Sequence, residues 1–81
     1  MAEIDRVRWR CRRGLLELDL VLERFLRDDW GSLTADERGG FTRLLQAADN
    51  DLWDWVSGRG EPADSMEAGL VRRLRAVRHS A

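Results

Sequence analysis

Eighty-one residues, 43% of them hydrophobic and 36% charged, suffice for one small domain and no more. A chain this short buries only about 60% of its surface on folding, which leaves no room for a Rossmann unit, a barrel or a catalytic domain with a deep pocket. The composition is too apolar for a disordered chain and too charged for a membrane protein, and no apolar run approaches the ~18 residues of a spanning helix. A compact fold of this length has a radius of gyration of about 12 Å.

The net charge of −1 hides its arrangement. Residues 1–13 carry five arginines against Glu3 and Asp5, residues 14–71 carry thirteen acids against five arginines, and residues 72–81 add four arginines. Every cation is arginine, whose planar fork suits carboxylate recognition better than lysine does. Cys11 is the one cysteine, so neither an internal disulfide nor a zinc site is expected. Residues 1–13 lack an apolar signal-peptide core. The expectation is a reducing, cytoplasmic compartment.

Five apolar-periodic segments follow one another, divided by turn signals. The first spans residues 3–12, with Ile4, Val7 and Cys11 on one stripe and Trp9, Arg6 and Arg13 on the opposite side. The second spans residues 15–28, with Leu15, Leu18, Leu22, Phe25 and Leu26 sharing a face. Leu16, Leu20 and Val21 add apolar surface elsewhere, which places this helix at the centre of a bundle. Leu16, Leu18, Leu20 and Leu22 also alternate as in a strand; length, leucine content and the lack of a hairpin partner favour the helix.

Trp30-Gly31-Ser32 closes the second segment. Thr34 through Glu37 reads as a capping box for a third helix carrying Phe41, Leu44, Leu45 and Ala48. Gly39 and Gly40 weaken it by about 1 kcal/mol each, so either its first turns fray or a neighbour approaches closely. Asp49 or Asn50 caps a short fourth helix with Leu52, Trp53, Trp55 and Val56, ended by Gly58, Gly60 and Pro62. Trp55 is assigned to the core and Trp53 to its edge. Asp64 caps the last helix, whose stripe is Met66, Leu70, Leu74 and Val77, with arginines at its negative end. The prediction is an all-α bundle of five short helices, a single domain over residues 1–81 with frayed tails at 1–3 and 78–81.

Catalytic constellations are missing. His79 is the only histidine, so no positioned base exists for a serine or cysteine nucleophile. The Asp49-Asn50-Asp51 run lacks the spacing of a calcium loop and reads as helix capping. Cys11 lies on the core stripe and behaves as a small buried hydrophobe. Asp19 falls close to the apolar face of the second helix and needs a partner, for which an arginine of the first or fifth helix is expected. Arg13 and Glu17, four apart, are spaced to pair on a helix face, and Gly14 between them permits a sharp bend or the close approach of another backbone.

The run from Arg12 to Asp19 resembles the RGxxE signature of the succinate dehydrogenase assembly factor family. The similarity extends through Leu33, Thr34, Glu37, Phe41, Leu44, Leu45, Asp49, Asp51, Leu52, Trp55, Gly58 and Pro62, covering roughly residues 4–75. The Gly39-Gly40 pair and the absence of lysine depart from that pattern without touching the signature. The resemblance implies a five-helix chaperone, not an enzyme, that promotes covalent attachment of FAD to the flavoprotein subunit of succinate dehydrogenase and, in some bacteria, fumarate reductase. It also implies that the bond forms between a histidine of the target and the 8α-methyl carbon of its flavin. FAD then belongs to the partner and is not held stably by this chain.

The resemblance assigns partner contact to Arg13, Gly14 and Glu17. Local physics adds Trp9 and Arg6, because Trp and Arg dominate interface energetics, and Arg12 and Asp19 of the same run complete the set of partner-binding candidates. A monomer is expected, with a dimer as the other possibility. Two other readings compete: a nucleic-acid binder using the arginine-rich ends and Trp9, opposed by the acidic middle, and an antitoxin-like or structural interaction module.

Overall fold

The computed structural model describes residues 3–79. Leu18, Leu22, Phe25 and Leu26 recur at intervals of three and four, and this stripe forms one wall of the core. It belongs to α2 (Leu16–Asp28), which follows α1 (Glu3–Arg10); then come a 3₁₀ turn (Trp30–Ser32), α3 (Ala35–Leu44), α4 (Asp49–Val56) and α5 (Ser65–His79). No strand occurs among the described residues, so the leucine alternation in α2 resolves as helix. The radius of gyration is 11.4 Å. Glu3 opens α1, and Arg78 and His79 close α5; the remaining tail residues, 1, 2, 80 and 81, lie outside the described residues.

The core is aromatic at its centre. Phe25 stacks on Phe41 with ring centroids 5.1 Å apart, and Trp30 meets Phe41 edge-on at 6.0 Å. The guanidinium of Arg38 covers the Trp30 ring and that of Arg73 covers Phe25. Trp30, read in the sequence only as the end of a helix, is buried. Ala68 and Val71 join Leu70 and Leu74 on the inner face of α5, while Met66 and Val77 are only partly buried. The buried face of α5 is therefore wider than the predicted stripe.

Side-chain caps set the starts of α3 and α5. Thr34 Oγ1 accepts from the Glu37 N–H at 3.1 Å, and the Glu37 carboxylate accepts from the Thr34 N–H at 2.8 Å, so the capping box is present. Those bonds hold the Glu37 carboxyl below its ordinary range. Asp64 accepts from the Glu67 N–H at 2.9 Å. The α3 glycine pair resolves as close approach: a Cβ on Gly40 would stand 2.6 Å from Met66 Cγ of α5.

Five expectations are corrected. α1 stops at Arg10, and α4 has Ala48, not Asp49 or Asn50, at its N-cap, with no side-chain cap. Leu15 is exposed because it precedes the first turn of α2. Trp55 is half-buried, packed against the core rather than within it. α2 is not central: Leu16 and Leu20 face solvent on the side away from the core.

Candidate partner-docking site

The link between α1 and α2 is where the conspicuous sequence run turns into geometry. Cys11 closes the buried stripe of α1, and desolvation pushes its thiol up to about 12, so it stays protonated and unreactive. Beyond it the chain turns, and Gly14 adopts φ +80°, a left-handed conformation that other residues enter at a cost of about 1–2 kcal/mol. The Asp19 carboxylate holds this turn: it accepts from the Arg13 N–H at 2.9 Å and the Gly14 N–H at 3.1 Å. Its partner is thus the main chain of the link and not an arginine side chain of the first or fifth helix, as the sequence suggested.

Arg13 does not lie on the outer face of α1 with Trp9 and Arg6. Its side chain is turned inward, with 10% of its surface exposed. Nη1 donates to the Ala47 carbonyl and to Asp49 Oδ1, both at 2.8 Å, and Nη2 donates to the Leu45 carbonyl. The guanidinium thereby satisfies carbonyls left open where α3 ends and joins them to the first residue of α4. This is the role that replaces the expected Arg13–Glu17 pair.

Glu17 pairs instead with Arg78 of α5, whose Nε lies 3.0 Å from Glu17 Oε1. The Arg78 guanidinium also sits 5.2 Å from the centroid of the Trp53 ring. Glu17 remains accessible at the rim of a shallow recess of about 220 Å³ lined by Leu15, Leu16, Leu18 and Trp53.

A larger cleft of about 460 Å³ opens between the two helices, lined by Arg8, Arg12, Gly14, Leu16, Asp19 and Leu20 among others. No atom outside the immediate chain comes within 4 Å of the position a Gly14 Cβ would take, so the bend presents bare backbone to this cleft. Trp9 is 72% exposed on the outer face of α1, beside Arg6, and Arg12 lies 5.9 Å from its ring centroid. The outward placement of Trp9 and Arg6 follows from the 100° period, as predicted.

The candidate residues therefore divide. Arg12, Gly14 and Asp19 share the cleft; Glu17 stands at the neighbouring recess; Trp9 and Arg6 occupy the outer face of α1; Arg13 is internal. Sequence reasoning missed Leu16 and Leu20 as exposed apolar surface, although both fall off the core stripe, which is the signal that marks them. Asp49 and Arg78 gave no local signal, since their partners lie 36 and 61 residues away.

Comparison with known proteins shows the family of the chain. Residues 5–78 match the family model described as flavinator of succinate dehydrogenase. The chain is 42% identical over 69 residues to the FAD assembly factor SdhE of Coxiella burnetii, covering 85% of this chain and 84% of that protein. It is 40% identical over 76 residues to the protein of the same name from Xylella fastidiosa, covering 94% and 78% respectively. The solution structure of a UPF0350 protein superposes with a TM-score of 0.80 at 40% identity, over 99% of this chain and 86% of that one. The matched stretch reaches from α1 into α5 and takes in the link with its inward arginine, and on that extent the chain belongs to the family of flavinators of succinate dehydrogenase.

Proposed function

We propose that this chain is an assembly chaperone that binds the flavoprotein subunit of succinate dehydrogenase and promotes covalent attachment of FAD to it. The observation that carries the reading is the family match over residues 5–78, which spans the α1–α2 link and its exposed surface. The relatives are FAD assembly factors by name. In this reading Gly14, Glu17, Trp9, Arg6 and Arg12 meet the flavoprotein, while Arg13 and Asp19 hold the link in the shape it presents.

The flavin supplies the reactive 8α-methyl carbon, and the target supplies the histidine. This chain contributes binding energy that favours an ordered, water-poor conformation of the target. FAD stays with the partner throughout, and no catalytic group is drawn from this chain. The reading extends to fumarate reductase as a second target, a monomer as the working form and the cytoplasm as its location. Among the described residues no helix is long and apolar enough to cross a membrane. Protein rather than nucleic acid is favoured as the partner because the α5 arginines already face acids or carbonyls: Arg72 and Arg75 meet Glu61, Arg73 meets Glu37 and Arg78 meets Glu17. Such engaged cations are poor phosphate ligands.

The test is co-expression of the flavoprotein subunit with and without this chain in a host lacking its own factor, followed by in-gel flavin fluorescence. Fluorescence that depends on the chain is the expected result. Equal covalent flavin with and without it removes the proposal.

A further inference from the structure

Glu17 and Arg78 come from opposite ends of the chain and meet on the same surface as the link. The two partners are unequally placed. The Arg78 side chain is 28% exposed and lies over Trp53, whereas Glu17 is 59% exposed. The cation is the fixed half of the pair and the carboxylate the presented half. Neither helix needs the pair for its own stability. Glu17 already sits in the first turn of α2 and Arg78 in the last turn of α5, where the helix dipoles favour those charges. Exposed ion pairs contribute little to folding. What the pair does accomplish is geometric: one oxygen of a flexible side chain is tied at 3.0 Å beside the apolar recess of Leu15, Leu16, Leu18 and Trp53.

We propose that Arg78 is a positioning residue for Glu17, fixing its carboxylate at the edge of that recess so that the flavoprotein meets an acid already oriented for contact. The proposal rests on the reading above that Glu17 touches the partner. Its physical content is the rotamer freedom of Glu17, which is lost before docking rather than during it. Arg78 acts through Glu17 and makes no contact of its own with the partner.

The experiment is a double-mutant cycle with Glu17→Gln and Arg78→Met, measuring the affinity of the full chain for the apo-flavoprotein subunit by calorimetry. Circular dichroism establishes that every variant is folded at the assay temperature. Arg78→Met is expected to weaken binding about threefold to tenfold, the scale of one immobilised side chain. Arg78→Lys should recover part of that loss, since it keeps the charge but not the planar fork. In the Glu17→Gln background Arg78→Met should change nothing further. Equal weakening in both backgrounds overturns the proposal, because Arg78 then acts on the partner or on the fold directly. Unchanged affinity of Arg78→Met, with Glu17→Gln weakened, overturns it while sparing the docking role of Glu17. Unchanged affinity of Glu17→Gln removes that docking role, and the positioning role with it.

Discussion

Two glycines separate the two halves of this molecule. Gly40, within α3, is crowded: a Cβ there would meet Met66 Cγ at 2.6 Å and Leu70 Cδ1 at 3.3 Å. Gly14, in the α1–α2 link, has open space in the same direction but a φ of +80°. At Gly40 the missing side chain lets two helices pack, and at Gly14 it lets the backbone bend and stay bare. The arginines divide in the same way. Arg38 and Arg73 cover core aromatics, while Arg12 stands over the exposed Trp9. The α3–α5 side spends its residues on stability, and the α1–α2 side keeps apolar and cationic surface open that stability does not require. Trp9 and Leu16 are the most exposed of its large apolar side chains.

The largest effect is expected where the two halves are joined. Arg13→Ala removes the donor to two carbonyls and to Asp49, and should cost at least about 3 kcal/mol, since even two of these three hydrogen bonds, at about 1.5 kcal/mol each for a charged donor, amount to that. Arg13→Lys should recover less than half, because an ammonium cannot span three acceptors set for a planar fork. Thermal denaturation reads both. A loss below about 0.5 kcal/mol, in the range of ordinary surface changes, would show that the clamp does not hold the link to the α3–α4 joint.

The glycine comparison is sharpened by a pair of neighbours. Gly40→Val should destabilise by about 1–3 kcal/mol through overpacking against Met66 and Leu70. Gly39→Ala, whose new methyl meets only Arg43 Nη1 at an ordinary 3.7 Å, should stabilise by up to about 1 kcal/mol through helix propensity. Urea midpoints of the two variants should move in opposite directions. Movement in the same direction would mean that close approach at Gly40 is not what selects glycine.

Cys11 tests how firmly α1 is seated on α2. Its thiol stands at about 12 when folded and near 9.0 in its ordinary state. Above pH 9 the unfolded chain releases this proton and the folded chain keeps it. Stability should therefore fall as pH rises from 9 towards 12, by on the order of 1 kcal/mol at pH 10. Cys11→Ala should remove this component from the pH profile. The native thiol should also resist alkylation at pH 8 until the chain is unfolded, and rapid labelling of the folded protein would place α1 away from the core.

The smallest effect on folding belongs to Trp9. Trp9→Ala should leave the melting temperature nearly unchanged, since exposed substitutions fall within about 0.5 kcal/mol. In the same variant, association with the flavoprotein should weaken at least about tenfold, as at other aromatic hot spots. An unfolded Trp9→Ala variant would contradict its exposure, and undiminished association would take the outer face of α1 out of the docking surface.

Helix number, helix order and most of the core were legible because they depend on neighbours one to four residues away. The capping box of Thr34 and Glu37, the Asp64 cap, the Val7–Cys11 stripe and the outward Trp9 all follow from spacing along a single helix. The tight spot at Gly40 was half legible: a glycine pair in a helix announces either fraying or contact, and Met66 of another helix decides which. The direction of Arg13 was not legible. A four-residue spacing to Glu17 suggested one partner, but α1 ends before Arg13, so the two never share a helix, and the Arg13 guanidinium goes to the carbonyls at the end of α3 instead.

The sequence by itself determined what is local in this protein: the number and order of the helices, the caps of α3 and α5, and most of the apolar faces. Only the tertiary structure decided which half of the RGxxE run is buried and which is shown. It turned Arg13 inward to Asp49, brought Arg78 across to Glu17 and left Leu16 and Leu20 uncovered. The physical reason is that charged side chains choose partners by distance and desolvation in space, and those distances exist only after the helices have packed.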